Sequence, residues 1–143
     1  MIRAAAGGLV LLALLQVAPA VTRAAADPTR GERVFQRCYA CHSVEPGEDR
    51  LPGPSLRCVL GRRAGTLAGF AFSPAMVEAG TARTLVWTRT TLDAFLVDPQ
   101  SVVPGTAMWI PSLSVAEDRR DVIDYLERAG PCPAETVPRA VRP

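Results

Sequence analysis

The sequence predicts an all-α fold of a few helices joined by long loops, and three observations carry that prediction. Apolar residues recur at helical spacing in several short segments, no alternating run is long enough to build a sheet, and the chain contains Cys38-Tyr39-Ala40-Cys41-His42. Two thiols three residues apart followed by an imidazole suit c-type haem, in which the thiols add to the porphyrin vinyl groups and the histidine coordinates iron. A group of that size would replace regular secondary structure as the surface on which loops pack. The pentapeptide would also read as a dithiol redox pair or as half of a zinc site. A redox pair belongs near a strand-helix-strand pattern and a zinc site needs a second pair of ligands, and neither is visible. His42 is the only histidine, so no other imidazole competes for the iron.

Asp27-Pro28 opens the first predicted helix, with a capping carboxylate and a proline at the first position, where its missing N–H costs nothing. Gly31, Val34, Phe35 and Cys38 share one face of it, so the inward face would deliver the first thiol. Polar residues 43–50, with Pro46-Gly47, then read as a turn or loop. Residues 52–72 show no sustained period and are predicted to form a loop folded over the prosthetic group. Ser73-Pro74 caps a brief helix ending near Gly80, and Thr88 to Val97 forms another, with Leu92, Phe95 and Leu96 inward and Pro99 stopping it. A second extended loop, Val102 to Met108, follows. Ser114 and Glu117 are spaced as a capping box for the last helix, whose inward face is Val122, Tyr125, Leu126 and Ala129 and which Gly130-Pro131 ends.

At 143 residues the chain is sized for one domain, and its 48% hydrophobic content is inflated by the N-terminus. Residues 1–26 read as a secretory signal peptide: Arg3, then an apolar core around residues 9–15, then the small-residue sites Ala18-Pro19-Ala20 and Ala24-Ala25-Ala26. Cleavage is expected after Ala26, with Ala20 as the alternative. An uncleaved membrane anchor is the other reading, disfavoured because the apolar core is shorter than the ~20 residues a span needs. The organisation expected is a leader at 1–26, a domain at 27–131 and a Pro-rich tail at 132–143. Export to a bacterial periplasm suits thiols destined for haem attachment or disulfide formation.

The formal charge of +2 shrinks once Arg3 and Arg23 are removed with the leader, leaving 14 basic against 14 acidic side chains. There is no lysine and no basic run with interleaved aromatics, which argues against nucleic-acid binding. No nucleophile-base constellation appears, so no catalytic residues are assigned and the chain is not read as an enzyme.

Taken together, these residues resemble a class I cytochrome c. The resemblance covers residues 27–129 and rests on blocks in order: Cys38-Tyr39-Ala40-Cys41-His42, Gly53-Pro54-Ser55-Leu56, Gly61-Arg62-Arg63-Ala64-Gly65, Trp87, Val103-Pro104-Gly105-Thr106-Ala107-Met108, and the last helix with Tyr125. It implies the cytochrome c fold around one haem c held by Cys38 and Cys41, with His42 as proximal ligand and Met108 on the opposite face. It implies further that Pro54 offers its carbonyl to the His42 ring N–H, that Arg62 and Trp87 serve a haem propionate, and that Met76 merely packs. Where relatives often carry tyrosine near the haem, this chain has Phe72 and Phe95.

Cys58 and Cys132 lie outside the haem motif; Cys58 stands where relatives commonly have glycine, and two leftover cysteines in an oxidising compartment suggest a disulfide. The function implied is one-electron transfer by a monomeric periplasmic carrier that docks transiently, at its haem edge, with redox protein donors and acceptors. The lysine ring many relatives use for docking is absent, and Arg37 is the nearest basic replacement. Two other readings remain: a haem subunit of a periplasmic dehydrogenase complex, for which Trp109 and Ile110 beside Met108 would form an apolar docking patch, and a ligand-binding sensor or peroxidase should Met108 dissociate.

Overall fold

A computed structural model describes residues 28–110, 112–129 and 132. The expected leader, the Asp27 cap, the Gly130-Pro131 stop and all of the tail but Cys132 lie outside the described residues. Five helices follow in order: α1 Pro28–Phe35, α2 Pro74–Thr81, α3 Arg89–Val97, α4 Pro99–Val102 and α5 Ala116–Arg128. Among the described residues there is no strand, only an isolated antiparallel bridge between Arg63 and Val86.

The frame is the crossing of α1 on α5. Gly31, Val34 and Phe35 form the buried face of α1. Phe35 is fully enclosed and stacks edge-on against Tyr39, with its ring 5.2 Å from that of Tyr125. Gly31 permits the approach, since a Cβ there would overlap the Asp121 carbonyl oxygen and come 2.8 Å from the Tyr125 Cβ. Arg30 adds ion pairs to Asp118 (2.9 Å) and to the buried Asp121 (3.1 Å).

Two sequence expectations need correction. Cys38 does not ride on the α1 helix: after Phe35 the backbone tightens, with Arg37 N–H donating to Val34 O and Cys38 N–H to Phe35 O, each three residues back. The thiol is therefore presented by a turn. The Ser114/Glu117 capping box is also not formed. Val115 is the N-cap residue of α5 and makes no side-chain cap bond, so Ser114 and Glu117 are one residue out of register. Arg119, from within α5, instead donates to the carbonyls of Leu113 and Ser114 at 2.8 and 2.9 Å and to Asp93 of α3 at 2.8 Å.

The other helix starts follow local rules. Ser73 accepts from Met76 N–H at the start of α2, and Thr88 forms a capping box with Thr91 at the start of α3. Pro99 does more than end α3: Asp98 caps Gln100 N–H and Pro99 begins the single turn α4. α3 buries Leu92, Phe95 and Leu96, and α5 buries Val122, Ile123 and Leu126, in one core shared with Trp87, Val59, Val103 and Met76.

Candidate functional site

His42 N–H donates to Cys38 O at 2.9 Å, and this turn carries the ring inward, where it is buried. Its Nδ1 lies 2.7 Å from the Pro54 carbonyl oxygen. Burial pushes the imidazole pKa down against the opposing pull of that bond, so the ring is neutral, Nδ1–H donates to Pro54, and Nε2 keeps its lone pair. Gly53 completes the cradle: a Cβ there would sit 2.7 Å from Nδ1 and 2.8 Å from Cys41 O. A histidine oriented in this way by a backbone partner has the arrangement a metal ligand would need. Cys38, half-buried, and Cys41, exposed, are both free thiols, and burial pushes the Cys38 thiol up toward its protonated form. A buried neutral imidazole with one nitrogen free, flanked by two unpaired thiols, fits a c-type haem. Among the described residues no cluster of His, Cys, Asp or Glu forms a competing metal site.

Arg62 and Trp87 are brought together by backbone pairing across the Arg63–Val86 bridge. Trp87 N–H donates to Arg62 O at 2.9 Å, Gly61 N–H to Trp87 O at 2.8 Å, and Ala64 N–H to Leu85 O at 2.9 Å. The Arg62 guanidinium reaches Ser55 O at 2.8 Å, and its burial, with no carboxylate beside it among the described residues, lowers its pKa. A half-buried cation without an anionic partner is the chemistry a haem propionate would complement. Trp87 is buried against Phe95, rings 4.9 Å apart, and Phe72 stacks on Phe70 at 4.8 Å.

Met108 is half-buried against the core at the end of a braced loop. Gln100 of α4 accepts from Gly105 N–H and donates to Thr106 O, both at 3.0 Å, straddling a turn whose Gly105 has a φ of 84°. The buried Thr106 then accepts from Met108 N–H at 3.3 Å. Met76, by contrast, is buried within α2 as part of the core. Gln100 and Thr106 are the positioning residues that sequence reasoning missed; the Asp98-Pro99 cap signal marks the turn that presents Gln100. Cys58 and Cys132 are bonded to each other, Cα atoms 5.5 Å apart.

No family model matches the sequence. Cytochrome c2 of Rhodomicrobium vannielii is 44% identical over 103 residues, spanning 72% of this chain and 79% of that protein. Among solved structures, cytochrome c2 from Rhodospirillum centenum superposes with a TM-score of 0.68 at 35% identity, over 74% of this chain and all of its own. Cytochrome cH from Methylobacterium extorquens gives 0.64 at 38% identity, over 71% and 98%. With the all-α fold, these likenesses place the chain in the class I cytochrome c family. Its function is electron transfer.

Proposed function

We propose that the chain carries one haem c through thioether bonds from Cys38 and Cys41, with His42 and Met108 as axial ligands, and works as a monomeric periplasmic electron carrier exported by residues 1–26. The observation that carries this reading is the 2.7 Å contact from His42 Nδ1 to Pro54 O, which leaves Nε2 as the ring's donor atom on a residue that directly follows two free thiols in the chain. When bound, the haem supplies an iron that alternates between ferric and ferrous states. The protein's own residues hold and tune it. The Cys38 and Cys41 S–H groups would each add across one vinyl group, sulfur to one carbon and hydrogen to the other, and the Pro54 carbonyl fixes the His42 tautomer. Arg62 and Trp87 offer a guanidinium and an indole N–H to a propionate. Met108 is a neutral, soft donor that favours ferrous iron and raises the potential. The bracing of the Met108 loop by Gln100 and Thr106 favours a closed carrier over a ligand-binding sensor or peroxidase.

The experiment is denaturation of the periplasmically expressed protein in acid and organic solvent. One haem per chain should remain with the polypeptide, and changing both Cys38 and Cys41 to Ala should release it. Haem that leaves the unaltered chain on denaturation would contradict the attachment.

Partner contact is assigned to the surface beside Met108. Trp109 is 81% exposed and Ile110 37%, and residues 99–116 contain no charged side chain. Rim charges mainly set association rate and its salt dependence. Electron exchange with the redox proteins of the source cell's membrane and periplasmic fractions should therefore depend weakly on salt. Trp109→Ser should slow that exchange about tenfold, the loss of an anchor of ~1.4 kcal/mol. A steep fall in rate with salt, with Trp109→Ser silent, would move the docking site to a charged face.

A further inference from the structure

Cys58 lies outside the haem-attachment motif, in the loop that holds Arg62. From Ser55 to Arg62 the chain folds back on itself: Val59 N–H donates to Leu56 O at 3.2 Å and Arg62 N–H to Val59 O at 3.1 Å. The Arg62 guanidinium thereby reaches the carbonyl of Ser55 at 2.8 Å and that of Arg57 at 3.5 Å. One end of this loop is tied by Leu56 N–H to Ser43 O at 2.8 Å, the other by the pairing of Gly61 and Arg62 with Trp87. Between those ties sits Cys58, buried, with a φ of 54° that a residue bearing a side chain rarely adopts. Its bond to Cys132 crosses 74 residues of sequence to a point just beyond α5. The helix that packs on α1 is thus covalently tied to the cradle of Arg62.

We propose that the Cys58–Cys132 disulfide is a positioning element for the Arg62 guanidinium, and that removing it lowers the reduction potential of the bound haem. The proposal rests on the reading that Arg62 faces a haem propionate. A cation held against that carboxylate offsets its negative charge, and an uncompensated negative charge near iron favours the ferric state. A residue with φ above zero persists only where its surroundings over-determine it. Without the bridge, the loop relaxes from the left-handed turn at Cys58, the Ser55 and Arg57 carbonyls shift, and the guanidinium spreads over more positions.

The test is redox titration of the haem-loaded protein in four forms: unaltered, Cys132→Ser, the double variant Cys58→Gly with Cys132→Ser, and Arg62→Met, with each bridge change also placed in the Arg62→Met background. Both bridge variants should have a lower potential. Cys132→Ser should fall further than the double variant, because glycine keeps the positive-φ turn without strain. Hydrogen exchange at the Arg62 amide should quicken in the same order, a readout independent of electron transfer. In the Arg62→Met background, removing the bridge should change the potential no further. If Cys132→Ser does not fold, the double variant carries the comparison. An unchanged potential in the bridge variants alongside a lowered one in Arg62→Met would overturn the clamp alone. No shift in Arg62→Met would overturn the propionate reading and the proposal with it. An equal shift from bridge removal with and without Arg62 would overturn the assignment to Arg62.

Discussion

Met108→Ala should lower the reduction potential by a few tenths of a volt, a large part of the ~0.8 V over which axial ligands act. As the proposed iron ligand, the thioether would contribute in two ways. It would be a neutral soft donor that stabilises ferrous iron, and it would occupy the position that water or an added ligand would take. Alanine removes both, so ferrous Met108→Ala should also bind carbon monoxide. The fold should survive, because Met108 is only half-buried and the turn before it is held by Gln100 and Thr106 rather than by the methionine. Met76→Leu serves as the control. Met76 is buried in α2, and a volume-conserving change should cost under about 1.5 kcal/mol and leave the potential alone. If Met76→Leu lowered the potential and Met108→Ala did not, the ligand assignment would have to be exchanged. Both potentials are read by redox titration against the unaltered protein.

Gly31→Ala should destabilise the protein by about 2 kcal/mol, against what helix propensity alone predicts. In an exposed helix interior, alanine is favoured over glycine by roughly 1 kcal/mol. At Gly31 the added Cβ would overlap the Asp121 carbonyl oxygen and lie 2.8 Å from the Tyr125 Cβ. The obstacle is backbone of α5, which cannot swing aside as a side-chain tip can. Overpacking of this kind costs about 1–3 kcal/mol, occasionally more, and here it exceeds the propensity gain. For a domain of this size the melting temperature should fall on the order of 10 °C, followed by circular dichroism of the haem-loaded protein. Gly31→Val, bulkier and β-branched, should fall further. A melting temperature raised by Gly31→Ala would show that α1 and α5 separate without cost, and the crossing would not be the frame of the fold.

What the sequence revealed was what local chemistry decides. The thiol pair and histidine, the Ser73 cap, the buried face of α3 and the Val122 and Leu126 positions of α5 all depend on neighbours within a few residues, and each could be read directly. Features decided at a distance were harder to read. Periodicity carried Cys38 onto the helix because spacing cannot register the tightening of the backbone after Phe35. The capping box at Ser114 satisfied the local rule, but Arg119 reaches back to the Leu113 and Ser114 carbonyls and across to Asp93, and the helix begins one residue late. Gln100 carried no signal in the sequence because its two bonds close a turn five and six residues away, with no pattern in between. The Cys58–Cys132 pair was legible by elimination alone. That it ties the end of the last helix to the loop over the prosthetic group was expected; the hydrogen bonds by which that loop holds the Arg62 guanidinium emerged only from the fold.

The central claim is that His42 and Met108 close both faces of the iron and leave an electron carrier. The absorption spectrum of the ferrous protein before and after carbon monoxide tests it most directly. The expected result is a low-spin c-type spectrum that carbon monoxide leaves unchanged. A spectrum that shifts with carbon monoxide would contradict closed ligation, and a ligand-binding haem protein would then replace the carrier.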